Sequence, residues 1–472
     1  MIHKYKVIVI GSGPGGCVSA LMLAREGIDV LLIEEGSLIK HNELSQYNTK
    51  EMQLKYKNSG QTMALGKPII NFVEGKCAGG GSEINSGLYH RIPEEVLSTW
   101  EENNEIHFDR DELTSSYESI EKNLSISYMP KNKIPVSSLL LKNGSDSLGW
   151  DCSEVPRWYK YDDDKAGKKQ SMSETYIPEF LDSGGSFLPD SQVIKIHKNK
   201  KNDYSIFVKR KNKEVEEFTC EFIILSAGSI NSPNILKKSG LKDKKIGRGL
   251  KMHPSFKFTA MFPENIICKN EGVAVHQIKE FSPKISIGCS ISSKQYLAVS
   301  LNDTNNLHYL SRWENMASYY SMISPEGSGN IHRIPFFNSP LVTFRLTKID
   351  KKNIIKGIKA LGKVLFTAGA ERLFPSISQD ISFTSIDELK KFNFMPLSKL
   401  NLMTIHLFSS MRMGGKKERF CVNPDGLLWE DESIMLSDGS ILCDSPSVNP
   451  QGTIMALAEM NTKKFIRKIK TS

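Results

Sequence analysis

The chain has 472 residues, 39% hydrophobic and 24% charged, with a net charge of +9. That length can bury the cores of two domains, and no run approaches the ~18 apolar residues of a membrane span. The positive balance comes from lysine pairs scattered through loops (Lys200–Lys201, Lys237–Lys238, Lys351–Lys352, Lys390–Lys391) and not from a basic stripe with stacking aromatics, which argues against a nucleic-acid partner. The eight cysteines are far apart with no C-x-x-C pair, so no metal site or disulfide framework is expected. The first strand begins almost at once, leaving no room for a signal peptide, and a reducing, cytoplasmic setting is expected.

The opening stretch, KVIVIGSGPGGCVSALMLAREGIDVLLIEEG, orders the rest. Val7 to Ile10 suit a strand buried on both faces of a parallel sheet. Gly11 permits a tight turn, Gly13 lets a pyrophosphate approach the backbone, and Gly16 lets the helix that follows, about Gly15 to Glu26, pack closely on the strand. The helix aims its free N–H groups at the phosphate. A second strand, Val30 to Ile33, ends at Glu34, placed about 20 residues on to accept ribose hydroxyls and to disfavour a 2′-phosphate. A bound adenine dinucleotide follows.

Further on, Gly79, Gly80 and Gly81 form a loop able to press its backbone on something flat or anionic, with Ser82 and Asn85 at a short helix start. Trp100 to Leu124 reads as one helix, Asp162 to Lys165 as an exposed turn, and Met172 to Leu181 as a short helix. Gln192 to Ile196, which includes Val193, and Tyr204 to Val208 read as paired strands. The strand Phe222 to Leu225 runs into Ala227–Gly228 and a helix, again bringing backbone to a cofactor. From Ser255 to Pro396 strands separated by polar loops predict an antiparallel sheet, with a turn at Ser324 to Asn330 and a helix from Lys352 to Ala370. A strand at Ser433 to Ser437 and a closing helix from Gln451 to Ile469 complete the chain.

Four stretches in order, GSGPGG, GGGSEIN, SAGSINSPNILKKSG, and HLFSSMRMGG with SVNPQGTIMALAE, resemble the glucose–methanol–choline (GMC) flavoprotein oxidoreductases over nearly the whole chain. The resemblance implies an α/β fold with a Rossmann-like FAD-binding domain built from discontinuous segments (1–124, 186–254 and 401–472). A substrate domain of α+β type on an antiparallel sheet (125–185 and 255–400) is inserted into it. It implies FAD held by Gly11, Gly13, Pro14, Gly16, Glu34, Gly80, Gly81, Ser82, Asn85, Val193, Ala227, Gly228, Asp438, Pro450 and Thr453, and oxidation of an alcohol to a carbonyl. Ile84 stands where some members carry a histidine that attaches FAD, so noncovalent FAD is expected.

The signature histidine falls on His406 and the second active-site position on Asn449, while Ser409–Ser410 replace the family's usual Gly-Thr. An alcohol carbon gives up hydride only as its oxygen loses a proton, so a base is needed, and histidine titrates in the right range. Asn449 cannot take the proton but can hold the same oxygen. His253 reads as structural, His90 as packed near the flavin loop, Asp438 as supporting, and Cys77 and Cys443 as small buried hydrophobes. The expected partner is a small-molecule alcohol: a sugar, aminocyclitol or other biosynthetic precursor first, a lipid or sterol alcohol as the alternative. A flavin-binding protein without turnover and an NAD-dependent dehydrogenase are the competing classes. The sequence leaves open whether oxygen or another acceptor reoxidises the flavin.

Overall fold

His3–Ile10 is the centre of a parallel arrangement, as its apolar run predicts. In the computed structural model, which describes residues 3–39, 49–161, 167–200, 203–267, 274–301, 305–337 and 339–471, this strand pairs in parallel with Val30–Ile33 on one side and Val215–Leu225 on the other. Ser186–Leu188 extends the sheet beyond Val30–Ile33, and Asp431–Leu436 runs parallel to the end of Val215–Leu225. Ser191–Lys198 and Tyr204–Arg210 add an antiparallel meander, and Leu427–Leu428 pairs antiparallel with Asp431–Leu436, giving eight strands in all. Val7, Ile8 and Val9 are fully buried at the centre of the sheet, where the helix Pro14–Arg25 packs on the strand. Pro14–Arg25 packs there against the closing helix Gln451–Thr471 and against Tyr176–Asp182.

A second sheet of nine strands is antiparallel except where Leu402–Thr404 runs parallel to Ile70–Phe72. Alternation along Ser255–Met261 sends Phe256, Phe258 and Ala260 into a core closed by the helix Lys348–Thr367. It turns Ser255, Lys257 and Thr259 to the opposite face. That face looks onto the loops of the first sheet, since Gln277, which lies on it, holds His90. Segments assigned from the sequence to the cofactor domain thus contribute Thr62–Ala64, Ile70–Phe72 and Leu402–Thr404 to this second sheet, and Phe180, from a segment assigned to the substrate domain, joins the core of the first.

Two local expectations differ. The single helix from Trp100 to Leu124 is two, Glu94–Asn104 and Arg110–Asn123. Glu105 takes a left-handed conformation at φ 52°, which ends the first, and Asp109 caps the second by accepting from the Asp111 and Glu112 N–H groups. The turn at Ser324 to Asn330 leads into a strand, Ser328–His332, because the Asp350 carboxylate accepts from the Glu326 and Gly327 N–H groups while closing the capping box of Lys348–Thr367. Asp162 to Lys165 lie outside the described residues.

Candidate active site

A cavity of about 620 Å³ runs between the two sheets, within the range of cofactor and small-molecule sites. Three helices start at its wall, at Pro14, Gly228 and Gln451, so three sets of free N–H groups and positive dipole ends converge on it. Gly11 sits at φ 101° with no room for a Cβ against the Ser226 carbonyl, and Gly16 has none against the Gly11 carbonyl. Gly13, Gly81 and Gly228 differ: a Cβ at any of them would meet nothing within 4 Å and would project into the cavity they line. Bare backbone facing open space beside helix N-termini is what a pyrophosphate needs, so the chain fits a dinucleotide here.

Glu34 lines the same cavity. Its Oε2 accepts from the Ser12 N–H at 3.0 Å and Ser12 Oγ at 2.8 Å, and its Oε1 from the Gly36 N–H at 2.8 Å. Oε2 has both lone pairs engaged, and Oε1 keeps one for a ribose hydroxyl. Burial pushes Glu34 above the usual carboxylate range, against those donors. Ser12 Oγ also accepts from the Gly79 N–H, tying the first glycine loop to the second. The second loop is clamped from behind by Lys169, which donates to the Glu83 and Asn85 carbonyls, and by Arg157, which donates to the Ser86 carbonyl. Asn85 Nδ2 donates to Gln451 Oε1 at 2.7 Å, joining the loop to the closing helix.

Pro14, Gly80, Val193, Ala227, Asp438 and Pro450 also line the cavity. The Asp438 carboxylate is engaged by the Gly228 and Ser440 N–H groups and Ser232 Oγ, so it fixes a helix start. Ser82 and Thr453 are not among the residues that line the cavity, and their side chains are engaged elsewhere. Ser82 Oγ donates to the Gly79 carbonyl, and Thr453 Oγ1 accepts from the Tyr117 hydroxyl. Gly16 likewise packs helix on strand without reaching the cavity.

His406 and Asn449 lie side by side on the wall, Asn449 Nδ2 at 3.4 Å from His406 Nε2. Asn449 Oδ1 is buried without a partner among the described residues. Behind His406 stands His253, Nδ1 to Nδ1 at 3.1 Å, and His253 Nε2 meets Ser445 Oγ at 2.7 Å. Ser445 Oγ meets Ser324 Oγ at 2.5 Å, which reaches Ser447 Oγ at 3.0 Å. Burial lowers His406 to about 4 and, with His406 beside it, drives His253 well below the histidine range. Both rings are neutral at pH 7. His406 and Asn449, expected from the sequence, are thus adjacent, with His253, read there as structural, behind His406; the histidine before Pro254 gave no local sign of the contact. Sequence reasoning also missed Glu74, a cavity-lining carboxyl that burial raises to about 7. Among the described residues no three His, Cys, Asp or Glu are grouped to hold a metal, and no helix is long and apolar enough to cross a membrane.

Residues 4–46 match an FAD binding domain family, and 52–255 and 337–458 match the N- and C-terminal parts of the GMC oxidoreductase family. An uncharacterized GMC-type oxidoreductase, y4nJ, of Sinorhizobium fredii is 33% identical over 470 residues, covering 96% of this chain and 92% of its own. Long-chain-alcohol oxidase FAO4A of Arabidopsis thaliana is 25% identical over 494 residues, covering 96% of this chain and 67% of its own. The fold is shared with a formate oxidase of Aspergillus oryzae (TM-score 0.77, 14% identity, 100% and 99% of the two chains) and with pyridoxine 4-oxidase from Mesorbium loti (TM-score 0.74, 16% identity, 98% and 99%). With its loops, its cavity and this likeness along almost its whole length, the chain belongs to the GMC oxidoreductases, a family of FAD-binding enzymes.

Proposed function

We propose that the protein oxidises the CH–OH group of a small polar alcohol, with His406 as the base and Asn449 as the group that holds the reacting oxygen. The observation that carries this is the adjacent pair His406 Nε2 and Asn449 Nδ2 on the cavity wall. An asparagine N–H facing Nε2 requires the lone pair there, so the proton sits on Nδ1 and is donated to His253. Nε2 is thereby free to take the hydroxyl proton. Asn449 then donates to the same oxygen and directs the carbon–hydrogen bond towards the cofactor. FAD, when bound, supplies the hydride acceptor. The N-terminus of Gln451–Thr471, immediately after Pro450, favours negative charge developing at that end of the cavity.

Noncovalent FAD is part of this reading. It rests on Ile84 before Asn85 and on a cavity lining in which His406 is the one histidine, with no cysteine or tyrosine, among the described residues. The division into cofactor segments (1–124, 186–254, 401–472) and substrate segments (125–185, 255–400) and the cytoplasmic setting, which rests on cysteine usage, are proposed with it. The long-chain or sterol alternative draws support from the names of the Arabidopsis relatives. A polar substrate is preferred because the sheet face opposite the cofactor loops carries Lys257, Tyr320, Gln277 and Lys279.

Anaerobic addition of pooled sugar, hydroxy-acid, aliphatic and sterol alcohols to the purified protein tests the reading. The visible band of oxidised flavin is expected to bleach with a polar pool and to stay in His406→Ala. Bleaching by sterols alone would move the substrate to the lipid class, and unchanged bleaching in His406→Ala would remove the base. After acid precipitation FAD is expected in the supernatant.

A further inference from the structure

Lys257 and Tyr320 are direct partners across two antiparallel strands, so their side chains share the face that looks onto the cofactor loops. Gly288 is the next residue along this line and Gln277 the one after. A Cβ at Gly288 would strike the Tyr320 ring, so glycine lets the tyrosine lie flat and accept from Gln277 Nε2 at 2.7 Å. The orientation of that amide is chemically fixed. Gln277 Oε1 receives the Lys279 ammonium at 2.8 Å, and an ammonium only donates. The amide nitrogen therefore faces Tyr320, the phenol oxygen is the acceptor, and the phenol proton has no acceptor among the described residues. His90, whose Nε2 meets both Gln277 Oε1 and Lys279 Nζ, keeps its Nδ1 buried and unpartnered.

Lys257 is deep-set, and its ammonium makes no hydrogen bond or ion pair among the described residues. Burial alone lowers it to about 8, with no carboxylate beside it to raise it. Lys279 is lowered to about 8 as well, again by burial first. An ammonium desolvated by its surroundings and left uncompensated is costly and is retained where a ligand completes it. The line begins two residues along the same strand from Ser255, which follows His253 and Pro254, and its far end, Gln277, meets His90, so it runs from the neighbour of His406 towards the second glycine loop.

We propose that Lys257 and Tyr320 bind a carboxylate carried by the alcohol substrate, so that the protein acts on a hydroxy acid held by its anionic end while His406 takes the hydroxyl proton at the other. This rests on the oxidation proposed above and names the substrate class for that site. One ammonium and one phenol proton match the two oxygens of a carboxylate, whereas a phosphate would call for more donors. Gln277, itself held by Lys279 and His90, fixes Tyr320, and Lys279 adds positive potential behind it.

The test uses the FAD-loaded protein and matched probes: glycolate against ethylene glycol, and 4-(hydroxymethyl)benzoate against benzyl alcohol, followed by flavin reduction. A binding arm measures 4-methylbenzoate, 4-methylbenzamide and 4-methylphenyl phosphate by calorimetry. The carboxylate member of at least one pair is expected to be favoured roughly ten-fold or more, as charged hydrogen bonds allow. Within Lys257→Met the ratio should collapse towards one, and within Tyr320→Phe it should fall part of the way. Equal treatment of charged and neutral members in the wild type, or a ratio unchanged in Lys257→Met, overturns the proposal, and tighter binding of the phosphate overturns the assignment to a carboxylate. His406→Ala separates the two claims. It should abolish reduction yet keep the carboxylate preference in the binding arm; absence of reduction by any alcohol would sink the oxidation while leaving that preference measurable.

Discussion

His253 stands behind His406, Nδ1 to Nδ1 at 3.1 Å, and neither ring has a carboxylate partner among the described residues. One of the two nitrogens must carry the proton between them. If His406 is to keep a lone pair on Nε2, it is His406 that donates, His253 must carry its own proton on Nε2, and Ser445 Oγ must accept it. The serine thus selects the tautomer of the base through an intervening ring. Ser445→Ala should leave FAD bound and slow flavin reduction by roughly 10-fold, and His253→Phe by roughly 100-fold, the range of a displaced general base. Ser445→Thr, which keeps the acceptor, should restore the rate. Histidine ¹⁵N chemical shifts give the tautomer directly, and an unchanged His406 tautomer in Ser445→Ala would refute the relay.

The pH dependence has a definite sign. His406 is lowered to about 4 by burial, so it stays unprotonated through the neutral range. With a neutral alcohol, the rate of flavin reduction should be level from pH 6 to 8 and fall only as pH approaches about 4. Stability behaves differently. His90, His253 and His406 are all lowered, so between their folded values and about 6.5 the unfolded chain binds protons that the folded chain does not. Stability present above about 6.5 is therefore lost as pH falls, by up to about 1.4 kcal/mol per ring per unit. Urea midpoints at pH 7 and pH 5 check this, and His253→Phe should show a shallower fall than the wild type.

The glycine loops show a division of labour that substitution can read. Gly11→Ala and Gly16→Ala drive a Cβ into backbone carbonyls and should destabilise the fold itself. Gly13→Ala meets no protein atom within 4 Å. The variant should fold with an unchanged urea midpoint in its FAD-free form and bind FAD at least roughly ten-fold more weakly, because the new methyl occupies the space open to the pyrophosphate. Loss of stability without loss of FAD affinity would show that Gly13 serves packing and not the cofactor.

Features set by local chemistry were legible in the sequence. The strand, glycine loop and Glu34 follow one another within a single βαβ unit, and His406 and Asn449 each sit in a recognisable run. What was not legible depends on distant register. His253 meets His406 across 153 residues, and Lys257 faces Tyr320 only because Ser255–Met261 pairs with Met316–Ile323 in one particular alignment. The placement of Ser82 and Thr453 was not legible for a related reason: their neighbours line the cavity, but helical rotation turns these two side chains towards Gly79 and Tyr117. The break at Glu105 was hidden because a left-handed glutamate carries no sequence signal of the kind a glycine gives.

Ser409 is the place where this chain departs from its family's usual glycine, and its backbone adopts φ 65°. An L-residue there costs about 1–2 kcal/mol relative to the right-handed region, and the side chain gives no return, since Ser409 Oγ is buried without a partner among the described residues. The conformation is imposed from both sides. The Ser409 N–H donates to the Gly439 carbonyl, and Ser410 Oγ donates to the Ser229 carbonyl at the start of the helix Gly228–Lys238. The strain therefore lies between His406 and the loop that carries Asp438. Ser409→Gly removes both the left-handed penalty and the orphan hydroxyl, and should raise stability by about 1 kcal/mol, net of the glycine's extra unfolded-state entropy. Ser409→Ala removes only the hydroxyl and should gain less. Denaturant midpoints of the two variants rank them; a Ser409→Gly midpoint at or below that of wild type would mean that the left-handed serine is not the strained element of this loop.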